Sequence, residues 1–133
     1  RELLMKLFKK ISVFAGLISI GFLVHSCDDM VNSSDDVVFP EENVSWQEHV
    51  EPFIKLTCAY GDCHSKNSQT PMTDYFTLMS QPGMVISGKP ENSKLYQVLT
   101  GDLPHPTYFY DKDISQNHVD GIGTWIEEGA EFN

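Results

Sequence analysis

The chain has 133 residues, 41% hydrophobic and 11% aromatic, and its 19 acids against 9 bases give a formal net charge of −10. That length bounds it to one small folded domain. The acidic balance argues against binding nucleic acid or an anionic membrane face through its own charge. Three cysteines allow at most one pair within the chain.

The first element is a leader. Met5 reads as the start, Lys6, Lys9 and Lys10 form a positive stretch, and Ile11 to Val24 form an apolar run. The run is short for a bilayer span and long enough for a signal-peptide core, with an uncleaved N-terminal anchor as the competing expectation. LVHSC at 23–27 resembles the signal box of bacterial lipoproteins. That resemblance implies that residues 1–26 are removed and that Cys27 carries acyl chains tethering the protein to a membrane. Asp28 and Asp29 resemble the acidic export tag of surface lipoproteins. The expected location is therefore extracytoplasmic, anchored by lipid to a bacterial membrane on its periplasmic or cell-surface side, the outer membrane above all. Residues 27–133 keep five lysines and no arginine against 18 acids, a net charge of −13. Such a surface suits steering toward a basic partner.

Residues 27–44 read as an acidic tether. They are rich in Asp, Asn, Ser and Glu, and Pro40 discourages a helix before it. The folded domain is expected over 45–133. Ser45 and Glu48 fit an S-x-x-E capping box, and Trp46, Val50, Phe53 and Ile54 recur at helical spacing. Pro52 inside that pattern predicts a kink or restart. Short helices are predicted over 73–80 and 90–101, the second closed by Gly101. The clearest helix is the last, capped by Ser115, with Val119, Ile122, Trp125 and Ile126 on one face and Gly129 at its end. No run alternates with period two, so the fold class is all-α: about four short helices joined by long loops. The apolar residues look few for a core without a cofactor or crosslink.

CAYGDCH at 58–64 concentrates the chemistry. A C-x-x-C-H turn serves covalent haem because two thiols reach the two vinyl groups of one porphyrin edge while the next imidazole reaches the iron. Here the spacer is two residues longer, and Gly61 and Asp62 suit the bulge this needs. A Cys58–Cys63 disulfide fits an exported protein equally well in kind. A zinc site would need a distant fourth ligand beside Cys58, Cys63 and His64. The seven residues alone leave all three open.

The wider pattern is VEPFI at 50–54, CAYGDCH at 58–64, VISGKPENSKLY at 85–96 and WIEEGA at 125–130. Four segments in this order, over about 80 residues, resemble the single-haem c-type cytochrome domain of exported bacterial lipoproteins, the type found in Bacteroidetes and planctomycetes. The resemblance implies a cytochrome c-like fold around one haem c. Cys58 and Cys63 would carry the thioethers and His64 would bind the iron. It also implies an electron carrier rather than an enzyme, exchanging single electrons with a redox protein partner.

One position departs from the family. Its distal ligand is usually a methionine in a Met-Pro-Pro loop, and this chain has Leu103 there, within LPHPTY at 103–108. His105, held between Pro104 and Pro106, is the expected replacement, with Met79 or Met84 as alternatives. His49 and His118 are expected away from the iron, His118 solvated at the start of the last helix. Tyr96, Tyr108, Phe109 and Tyr110 are candidates to pack on a porphyrin edge. If the sixth position is open, the protein is instead a ligand sensor or weak peroxidase. If there is no haem, it is a binding lipoprotein with a Cys58–Cys63 disulfide.

Overall fold

The computed structural model describes residues 31–61, 63–105 and 114–133. The leader, Cys27, Asp62 and the aromatic residues Tyr108, Phe109 and Tyr110 lie outside the described residues. The expectations about cleavage and lipidation concern those residues and lie outside the described structure as well. The described residues belong to one compact unit, Val31–Asn133. Among them are four α-helices, short 3-10 and π turns, and no strand, in line with the all-α expectation. No helix of the described residues is long and apolar enough to cross a membrane.

The first helical segment is built around the missing N–H of Pro52. Residues Trp46–Val50 wind as a π turn, and α1 (Glu51–Thr57) continues with Pro52 in its first turn. The expected restart is thus a change of winding: the Val50 and Glu51 amides reach back five residues, to the carbonyls of Ser45 and Trp46. The capping box is corrected in one half. Ser45 Oγ accepts the Glu48 amide at 3.3 Å, but the Ser45 amide donates to His49 Nδ1 at 3.1 Å rather than to the Glu48 carboxylate. The wider turn carries residue 49 over the cap nitrogen.

α2 (Tyr75–Ser80) starts one residue after Asp74, whose carboxylate accepts the Thr77 amide at 2.9 Å. The helix expected over 90–101 is broken at Ser93. A 3-10 turn, Pro90–Asn92, precedes α3 (Lys94–Thr100). Ser93 is fully buried and extended; its Oγ accepts the Ile86 amide at 2.8 Å and donates to the Lys89 carbonyl at 2.9 Å. This hydroxyl fastens the preceding loop to the helix start, which a continuous helix would not allow. Gly101 closes α3 in the left-handed conformation, φ +83°, as predicted.

α4 (Gln116–Glu127) is capped at Ser115 as expected. It ends in a Schellman motif, with the Ala130 amide on the Trp125 carbonyl at 2.8 Å and the Gly129 amide on the Ile126 carbonyl at 3.1 Å. His118 overturns its expectation: it is buried, not solvated. Its Nδ1 accepts the Ser115 amide at 3.0 Å, so its Nε2–H donates to the Val37 carbonyl at 3.0 Å. Two main-chain partners satisfy the ring, which allows it to be buried.

The core explains why α1 and α4 pack together. Trp46 and Trp125 lie with ring centroids 5.5 Å apart, flanked by Phe53, Ile54, Ile122 and Ile126, all buried. Burying one such indole removes 150–250 Å² from water, roughly 4–6 kcal/mol before chain entropy is set against it. The stretch read as tether also contributes. Val37, Phe39 and Val44 are buried in this core, so the folded part extends N-terminally beyond the expected start at 45. The Phe39 amide donates to Asn117 Oδ1 at 2.8 Å, and Asn117 Nδ2 donates back to the Phe39 carbonyl at 2.9 Å. The Asn43 and Val44 amides end on the Glu128 carboxylate. Gly121 in α4 is where the Phe39 ring lies; a Cβ there would stand 2.1 Å from the ring. These additions make the core fuller than composition suggested.

Candidate functional site

α1 runs from this core into the Cys58 loop, and its burial on Phe53 and Ile54 fixes where Cys58 emerges. Cys58 is the C-cap, its amide donating to the Ile54 carbonyl. Thr57 Oγ1 donates to the Phe53 carbonyl at 2.6 Å and lies 3.4 Å from Cys58 Sγ. Either atom can donate across this second contact, and when Cys58 ionises it is the Thr57 hydroxyl that turns to the thiolate. Burial pushes the Cys58 thiol up to about 11; the Thr57 hydrogen bond pulls the other way and the neighbouring Cys63 adds to the rise. Cys63 is exposed, and both cysteines are free thiols.

The loop then closes on itself. Gly61 takes φ +63°, and the His64 amide donates to the Cys58 carbonyl at 3.2 Å, which draws the two ends of the CAYGDCH segment together. The His64 carbonyl accepts the Met72 amide at 2.9 Å. His64 Nδ1 lies 2.6 Å from the Thr70 carbonyl. A carbonyl only accepts, so Nδ1 carries the proton and Nε2 holds the lone pair. Nothing in the sequence marked Thr70, because it acts through its main chain, where residue type leaves no trace.

The opposite wall comes from α3. Lys94, Leu95, Val98 and Leu99 share one side of it, and Gly101 turns the chain back so that Leu103, Pro104 and His105 follow. The Leu103 amide holds this return on the Gln97 carbonyl at 2.9 Å. Between the two walls is a cavity of about 410 Å³, with Cys58, Cys63, His64, Met72, Met84 and His105 also on its lining. That size falls in the range of small-molecule and cofactor sites.

The rings of His64 and His105 lie 6.0 Å apart, tilted by 38°. With metal–imidazole bonds of about 2.0–2.1 Å, rings this far apart are close enough that both could reach one metal ion. The spacing, the lone pair on His64 Nε2 and two thiols on one apolar cavity fit a covalently held haem. Among the described residues, no three His, Cys, Asp or Glu side chains gather into a set that would hold a metal ion alone.

Compared with protein-family models, with curated proteins and with solved structures, the chain matches none of them.

The remaining candidates separate cleanly. Met84 lines the cavity, whereas Met79 packs against the core and does not. Leu103 does line the cavity and offers no lone pair. Tyr96 packs toward Gly123 of α4 instead of a cofactor edge. His49 and His118 are engaged at the two caps, away from the lining. Met72, expected from the sequence only as apolar filling, lines the cavity. Sequence reading overlooked Lys94, Thr57 and Thr70; Lys94 lies inside VISGKPENSKLY, where nothing about it signalled a role of its own.

Proposed function

We propose that this protein is a monohaem c-type cytochrome, tethered by lipid at Cys27, that passes single electrons to and from a redox protein partner. The observation that carries the reading is the hydrogen bond from His64 Nδ1 to the Thr70 carbonyl, at 2.6 Å, on a cavity shared with Cys58, Cys63 and His105. A metal-binding histidine characteristically donates its other nitrogen to a carbonyl or carboxylate, which fixes the tautomer and the ring. Cys58 and Cys63 would hold the haem through thioethers. His64 and His105 would bind the iron. When bound, the haem supplies a one-electron couple, and two histidines place its potential below that of a His/Met pair. The chain's own part is to keep both imidazoles oriented and to keep water off one face with Leu95, Val98, Leu99 and Leu103. The −13 charge of residues 27–133 suits a basic partner, with association slowing as salt rises.

The test uses the natively exported protein. The expected result is the mass of the polypeptide and its acyl groups plus one haem, with a Soret band that survives acid-acetone extraction. His105→Ala should turn a low-spin spectrum into one that binds carbon monoxide readily in the reduced state; an unchanged low-spin signal removes His105 as ligand. Ready carbon monoxide binding by the unmutated protein would point to a sensor or weak peroxidase. A colourless protein whose two thiols have become a disulfide would return it to a binding lipoprotein.

A further inference from the structure

The cavity has a single cation on its lining among the described residues, Lys94. Local structure does not ask for it. Lys94 opens α3, where a helix's own dipole disfavours positive charge. It forms no ion pair among the described residues, where the one salt bridge is Lys55 with Glu51. Its ammonium instead donates to the Pro82 carbonyl at 3.0 Å, and its stem lies 3.6 Å from where a Cβ on Gly83 would be. That carbonyl orients the ammonium without neutralising it. The rest of α3's contribution, Leu95, Val98 and Leu99, is apolar.

From this placement we infer that Lys94 is the group that receives a carboxylate of the bound cofactor and so decides which way round a planar, mostly apolar dicarboxylate sits in the cavity. The inference rests on the haem reading and adds an orienting residue to it. Apolar walls grip a flat macrocycle without distinguishing its edges. One cation at one end of those walls does distinguish them, because a charged carboxylate leaves water at lowest cost where an ammonium meets it. Two of the ammonium's three donors remain for this when the third stays on Pro82. The thiols would hold one edge of the macrocycle, and Lys94 would select the acidic one. Lys94 is a positioning residue and takes no part in electron transfer.

The test is an equilibrium titration of the full, cofactor-free chain with haemin and, separately, with haemin dimethyl ester, which has lost both carboxylates. Wild type should bind the free acid threefold to tenfold more tightly than the ester, and the preference should shrink with added salt. Lys94→Gln should abolish the preference by weakening the acid alone, and Lys94→Arg should restore it. Helical circular dichroism should be unchanged in both variants, since Lys94 is exposed at the first position of α3. If acid and ester bind wild type equally, or if Lys94→Gln weakens both alike, Lys94 only packs and the inference fails while the haem reading stands. If neither compound binds, the haem reading itself falls and takes this one with it.

Discussion

The two ends of α1 face different surroundings. At its start, Phe53 and Ile54, with Trp46 and Val50 of the π turn before it, are buried in one core with residues of α4 and the 37–44 segment. At its finish, Cys58 enters a region where walls of comparable apolar character stay apart around 410 Å³. The difference is in the partners. The core side has Trp125 and Phe39 to fill the space and a glycine, Gly121, to admit one of them. The cavity side has medium-sized Leu and Val on a helix of only seven residues, and its loop is held by main-chain bonds that fix spacing without filling volume. One helix thus anchors a packed half and delivers a buried thiol to an open one.

The largest expected effect lies where the two halves meet, at Cys58. In the cofactor-free chain its thiol is raised from an ordinary 9.0 to about 11. Between those values the unfolded chain releases a proton that the folded chain retains. Stability should therefore be fully present below pH 9, fall as pH rises toward 11, and level off above it, with a total loss of up to about 3 kcal/mol. Urea unfolding across this range would show the decline, and Cys58→Ala should flatten it. In protein carrying a thioether at Cys58 the decline should also vanish, since no thiol remains.

Next comes the filled half. Gly121→Ala would ordinarily stabilise a helix interior by about 1 kcal/mol. Here the added methyl meets the Phe39 ring, whose backbone is pinned on both sides by Asn117. The sign should reverse, to a loss of about 1–3 kcal/mol in thermal or urea unfolding. A gain in stability would show that the 37–44 segment yields easily and that this half is less rigid than its packing indicates.

The smallest effect is expected across the cavity. Val98 is half-buried and faces open volume, so few contacts depend on it. Val98→Ala should cost under about 1 kcal/mol in the cofactor-free chain, and more once the cavity is filled. An equal cost in both states would erase the contrast between the two halves.

What was legible in the sequence was local. The caps at Ser45 and Ser115, the stop at Gly101 and the turn at Gly129 all depend on one or two neighbouring residues, and each is present. Pro52 announced a break because it lacks an N–H, although not that the break would be a π turn. The grouping of Cys58, Cys63 and His64 was written in their spacing. His105 stood out as a histidine between Pro104 and Pro106, and its ring centroid lies 6.0 Å from that of His64. The misses share one cause. His118 looked like a polar residue on a helix start, and its burial depends on a carbonyl 81 residues away, at Val37. The 37–44 stretch looked like linker because it continues an acidic, Asn- and Ser-rich run and Pro40 discourages a helix before it, yet Val37, Phe39 and Val44 are buried in the core.

By itself, then, the sequence determined the helical class, the boundaries set by caps and breakers, and the close grouping of Cys58, Cys63 and His64, since these follow from residue type, spacing and short-range hydrogen bonding. Only the tertiary structure decided that the acidic N-terminal stretch packs, that Thr70 holds His64 through its main chain, and that Lys94 stands at the cavity. Those outcomes depend on which distant carbonyl, ring or helix face comes within reach once Trp46 and Trp125 have drawn the π turn ahead of α1 and α4 together.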